Sequence, residues 1–150
     1  MKRRRAREYT VQLLYMLDTA GGEISASPTA LMDLHRKYYQ TPTNEELGAD
    51  EEFWQKLVRT GLVKLAEIDE LLKQQSEHWK LERMTRVDRS ILRMGVAELL
   101  AFSDIPASVT IDEAVEIAKR YGSEDSAPFV NGVLDNVWKK LAPTHAKPSS

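Results

Sequence analysis

From Val87 to Phe102 the apolar residues recur at three- and four-residue intervals, and that spacing admits one kind of element. Val87, Ile91, Met94, Gly95 and Phe102 share a face, and Leu92 and Leu99 widen it. Arg86, Arg89 and Arg93 form a narrow polar stripe opposite. This is the pattern of an amphipathic α-helix. Thr85 precedes it and Asp88 follows three residues later, as in a capping box. The arginine stripe is expected to be a solvated face. Glu98 falls inside the apolar sector, where a lone carboxylate is costly, so a buried hydrogen-bonding or basic partner is expected for it.

The same periodicity organises the rest of the chain. A first helix is expected from about Arg3 to Thr19, with Ala6, Thr10, Leu13, Leu14 and Leu17 toward the core, stopped by Gly21 and Gly22. Ser27 and Pro28 open a second, to about Tyr39, with Leu31, Leu34, His35 and Tyr38 as its apolar stripe. Residues 41–48 read as a loop. From Asp50 to about Ser76, Trp54, Leu57, Val58, Gly61, Leu65, Ile68 and Leu72 keep helical spacing, with a break or kink expected near Ala66 or Glu67. The polar stretch from Gln74 to Glu82, carrying Trp79, is the expected boundary between two halves. Thr110 and Glu113 suggest a second capping box, opening a helix that ends at Gly122. Ser126 and Pro128 open the last helix, along Val130, Val133, Leu134, Val137 and Leu141, and the tail from Pro143 is expected to be disordered. No segment alternates with period two. For Gly95 and Gly132, inside helices, close helix packing is the economical reason.

Composition removes several function classes. With no cysteine there is no disulfide framework, thiolate zinc site or cysteine nucleophile. His35, His78 and His145 sit in separate elements, so neither a metal set nor a catalytic triad is suggested. No glycine-rich phosphate loop follows a strand, and no signal peptide or membrane-length apolar run is found. The expectation is a cytoplasmic protein with no cofactor, no metal and no catalysis. The net charge is −2, yet Lys2, Arg3, Arg4, Arg5 and Arg7 make the start strongly basic. A local cationic patch on a near-neutral chain attracts phosphate at one surface only.

Four strings, in order, resemble the NusB family. They are Arg3-Arg4-Arg5-Ala6-Arg7-Glu8 with Val11-Gln12-Leu13-Leu14-Tyr15; Asp88-Arg89-Ser90-Ile91-Leu92-Arg93 with Glu98-Leu99; Asp104-Ile-Pro with Ile111 to Lys119; and Tyr121 to Ser126 with Phe129 to Asp135. The resemblance implies an all-α fold of about seven helices in two small bundles, about 1–78 and 79–142. It implies binding of the boxA element of nascent ribosomal RNA together with NusE, a small-subunit ribosomal protein. The pair would stabilise an antitermination complex on RNA polymerase.

Under that resemblance the RNA contacts are expected from Lys2, Arg3, Arg4, Arg5, Arg7, Lys119, Asp125, Ser126 and Phe129, and NusE contacts from Tyr15 and Asp88. Guanidinium groups contact phosphate bidentately and stack on bases. An exposed aromatic such as Phe129 offers a stacking platform, and Asp125 suits base amino groups. The plainer account stays open beside it: Asp125 or Ser126 caps the last helix, and Phe129 plugs a seam. The rival functions are a protein-interaction adaptor that does not touch RNA and, poorly supported, an RNA methyltransferase. A homodimer could cover the flank that a partner would use.

Overall fold

The computed structural model describes residues 2–20, 27–40, 50–75 and 84–145, without the side chains of Lys2 and of 143–145. Among the described residues there are seven helices and no strand: α1 (Lys2–Thr19), α2 (Pro28–Tyr39), α3 (Glu51–Val63), α4 (Leu65–Gln75), α5 (Arg86–Ala101), α6 (Ala107–Tyr121) and α7 (Ser126–His145). The Gly21-Gly22 stop, the 41–48 loop, Trp79 and His78 lie outside them.

Two of the expected caps form. Ser27 accepts a hydrogen bond from the Ala30 N–H at 3.1 Å, and Thr85 accepts one from the Asp88 N–H at 3.1 Å. The helix after Asp50 breaks at Lys64, slightly before the expected point, and hydrogen bonding restarts with Ile68 N–H to the Lys64 carbonyl. The capping box at Thr110 and Glu113 does not form. α6 begins earlier, after Pro106, and both side chains are used elsewhere: Thr110 donates to Glu98, and Glu113 pairs with Arg4. α7 continues through Pro143 to His145, where the tail is expected to begin; residues 146–150 lie outside the described residues.

α5 is the axis of the fold. It packs against α1, α3, α4, α6 and α7, and every residue from Ser90 to Leu99 is buried. A helix surrounded in this way has no solvated face, which corrects the reading of its arginine stripe. Arg93 is buried against Asp69 at 2.8 and 2.9 Å, Arg89 pairs with Asp18 at 2.7 Å, and only Arg86 is exposed. Gly95 lets α7 approach: a Cβ there would lie 2.8 Å from Leu134 Cδ1. Gly132 has no such role, since a Cβ there would meet nothing within 4 Å.

α2 is rotated from the expected stripe. Leu31, Met32 and His35 are buried, whereas Leu34 and Tyr38 are exposed. The turn is set by His35, whose ring lies 4.8 Å from that of Tyr9 and 5.8 Å from that of Trp54.

Candidate nucleic-acid interface

α1 runs antiparallel to α5. Arg7, near the start of α1, meets Glu98 near the end of α5, and Asp18, near the end of α1, meets Arg89 near the start of α5. Against α6 it runs parallel, with Arg4 on Glu113 and Glu8 on Arg120. These pairings decide what the basic start of the chain can do.

The cations divide by direction. Arg7 points inward. Its side chain is 5% exposed, and its guanidinium donates twice to the Glu98 carboxylate, at 2.6 and 2.8 Å. Thr110 Oγ1 donates to the same carboxylate at 2.6 Å. The expected partner of Glu98 is therefore Arg7, whose guanidinium, expected to contact RNA, is buried in this pair. Arg4 donates twice to Glu113 at 2.8 Å, and this bidentate hydrogen bond holds the Glu113 carboxyl below the usual carboxylate range. Arg3 and Arg5 remain about half exposed, with their nearest carboxylates, Asp50 and Glu8, at 3.9 and 3.8 Å. Lys119 is exposed, 3.5 Å from Glu116. Arg120, not among the expected contacts, is exposed as well and donates to Glu8 at 3.2 Å.

The second cluster lies where α6 hands over to α7. Ser126, expected among the RNA contacts, is buried. Its hydroxyl donates to Asp88 Oδ1 at 2.6 Å and accepts from the Ser123 N–H at 3.0 Å. Gly122 makes room for this arrangement. Its backbone is extended, with φ −95° and ψ −168°, and a Cβ there would lie 2.4 Å from Ser126 Oγ. Around this knot opens a recess of about 560 Å³ lined by Met84, Thr85, Asp88, Ser123, Asp125, Pro128 and Phe129. Asp125 is exposed and Phe129 half-buried. Asp88, expected to contact NusE, is 8% exposed, accepts from Ser126 and stands in the wall of this recess.

The cationic start and this recess do not share one pocket. They flank the two ends of α6, and the span from Glu98 to Asp88 on α5 is roughly 15 Å at the helical rise per residue. Between them α6 presents Lys119 and Arg120, both exposed.

A different surface surrounds Tyr15, which is 40% exposed. It borders a mostly apolar groove of about 370 Å³ between α1 and α6, floored by Val11, Met16, Val87 and Ile117 and rimmed by Tyr39 and Tyr121. Exposed tyrosines around an apolar floor are the composition of a protein-binding hot spot. Among the described residues no group of acidic and histidine side chains could hold a metal ion, and no helix is long and apolar enough to cross a membrane.

Comparison with known proteins places this geometry in a family. The family model described as the NusB family matches residues 4–139. A transcription antitermination protein NusB of Solibacter usitatus (strain Ellin6076) is 40% identical over 147 residues, covering 98% of this chain and 95% of that protein. The solved structure of T. maritima NusB superposes with a TM-score of 0.76 at 37% identity, over 95% of this chain and 94% of that one. A structure of antitermination factors NusB and NusE in complex with double-stranded RNA superposes with a TM-score of 0.75 at 28% identity, over 93% of this chain and 97% of that one. The chain belongs to the NusB family, a family of transcription antitermination factors and not of enzymes.

Proposed function

We propose that this chain binds boxA-type RNA of nascent ribosomal transcripts in the cytoplasm, together with NusE, and so stabilises an antitermination complex on RNA polymerase. The observation that carries the reading is the sorting of cations. Arg5, Lys119 and Arg120 keep solvent-facing charge along α1 and α6, toward the half-buried ring of Phe129 and the carboxylate of Asp125, and Arg3 keeps its charge on the α3 side of the start of α1. Phosphates held along such a line set register and affinity. Stacking on Phe129 and hydrogen bonds from base amino groups to Asp125 select the sequence. The NusB–NusE structure with RNA supports the pairing of both ligands on one family member. The Tyr15 groove suits NusE.

The rival adaptor reading draws on a specific finding: two of the five basic side chains at the start, Arg4 and Arg7, are consumed by Glu113 and Glu98. Anisotropy titration of a labelled single-stranded boxA RNA at several salt concentrations separates the two. The expected result is binding without NusE that tightens when NusE is added, with a log–log salt slope of about −2 to −3 for three or four phosphates. A scrambled strand and a duplex of the same sequence should bind more weakly. Binding only in the presence of NusE would give the adaptor reading.

A further inference from the structure

Arg3 and Arg4 leave the start of α1 in opposite directions, Arg4 toward α6 and Arg3 toward α3. On the α3 side lies an aromatic pair. Phe53 and Phe102 stack with ring centroids 4.7 Å apart and an interplanar angle of 25°. Cations sit on this pair from both ends: the Arg3 guanidinium is 4.8 Å from the Phe53 centroid, and the Lys56 ammonium is 4.7 Å from the Phe102 centroid. Phe53 is buried, but Phe102 is half-buried and Lys56 exposed.

We infer that Phe102 and Lys56, with Arg3, form a further subsite for single-stranded RNA, taking one base and its phosphate beyond the cationic start of α1. The inference rests on the RNA-binding reading above and extends its surface onto α3 and the end of α5. Alternating aromatic faces and mobile cations are what unpaired nucleotides require, since any base stacks on a ring and the adjacent phosphate takes the ammonium. Lys56 lies over the Phe102 face that a base would occupy. It moves aside onto the phosphate as the base arrives, and Phe53 backs the ring from behind. Among the described residues Lys56 forms no ion pair, so no carboxylate must be displaced first. Glu52, one turn earlier on α3, and Asp104, just after Phe102, are both exposed and bias the site against a second phosphate.

The test measures wild type, Lys56→Glu, Lys56→Gln and Phe102→Leu against the same labelled boxA RNA in the presence of NusE. Lys73→Glu, an exposed lysine on α4, serves as the control. The expected result is about five- to tenfold weaker binding for Lys56→Glu and Phe102→Leu, and a smaller loss for Lys56→Gln. The salt slope of both Lys56 variants should be shallower by about 0.7, one single-strand phosphate. All variants should keep the wild-type helical signal and NusE affinity. If wild type binds and the Lys56 and Phe102 variants stay within about twofold of it, or Lys73→Glu weakens binding equally, this subsite is overturned and the RNA-binding reading stands. If wild type itself fails to bind, both fall.

Discussion

Arg7 and Glu98 form a bidentate ion pair at 2.6 and 2.8 Å in the interior, joining the start of α1 to the end of α5, with side chains 5% and 0% exposed. Two desolvated charges in this geometry roughly offset their own burial cost, but either one alone does not. Arg7→Ala should therefore destabilise the fold by about 3–5 kcal/mol, because among the described residues Glu98 then keeps only the Thr110 side chain as a donor. Glu98→Gln should cost less, since the amide still accepts from Arg7 without leaving a carboxylate stranded. Chemical denaturation with circular dichroism measures both. Loss of RNA affinity by Arg7→Ala at unchanged stability would mean that Arg7 reaches the ligand after all.

The two helical glycines should respond with opposite signs. At Gly95 a new Cβ would lie 2.8 and 3.0 Å from the methyl groups of Leu134, a fully buried residue with little room to turn. Gly95→Ala should destabilise by about 1–3 kcal/mol through overpacking of α5 on α7. At Gly132 the position is exposed and open, so Gly132→Ala should stabilise by up to about 1 kcal/mol through helix propensity. Thermal melting of the two variants compares them directly.

Sequence periodicity placed every helix of the described residues, α3 and α4 as one long interrupted segment, because each has a one-sided apolar pattern that only a period near 3.6 satisfies. It could not tell which polar residues turn inward. Arg3, Arg4, Arg5 and Arg7 read as one cationic block, yet they point toward α3, α6, solvent and α5 in turn, and that sorting depends on where Asp50, Glu113 and Glu98 sit in space. The burial of Arg93 and Ser126 was hidden for the same reason: their carboxylates, Asp69 and Asp88, are distant in sequence. Glu98 carried a legible signal, a charge in an apolar sector, but not the identity of its partner. Lys56 carried none, since a lysine four residues after Glu52 on a helix looks like an ordinary surface pair.

His35 gives a pH-dependent prediction. Burial, and after it the nearby Arg36 charge, pushes its imidazole down from 6.5 to about 4. Its hydrogen bonds fit the neutral ring: Nε2–H donates to Gln12 Oε1 at 2.8 Å, and Nδ1 accepts from Gln40 at 2.9 Å. Between those two values the unfolded chain binds the proton and the folded one does not. The stabilisation is thus complete above pH 6.5 and declines as pH falls toward 4, by on the order of 3 kcal/mol. Urea titrations across that range should show this decline in wild type and a much flatter profile in His35→Gln. Equal slopes would place the proton uptake elsewhere.

Phe129, which lines the recess, and Ser126, buried against its wall residues Asp88 and Ser123, should separate binding from folding. Phe129 is half-buried against the core edge, so Phe129→Ala removes a stacking surface together with a modest amount of packing. It should weaken RNA binding about tenfold and cost about 1–2 kcal/mol of stability. Ser126→Ala removes the donor to Asp88 and the acceptor for the Ser123 N–H, both in the wall of the recess. That leaves a buried carboxylate underserved, and the cost should be about 1–3 kcal/mol in stability. Its RNA affinity, measured at a temperature where the variant remains folded, should change little, because the hydroxyl faces Asp88 and not the ligand. Should Phe129→Ala lose several-fold more stability than Ser126→Ala while binding RNA as wild type does, the ring is a plug in the seam between α5 and α7, and the stacking platform must be sought at another aromatic.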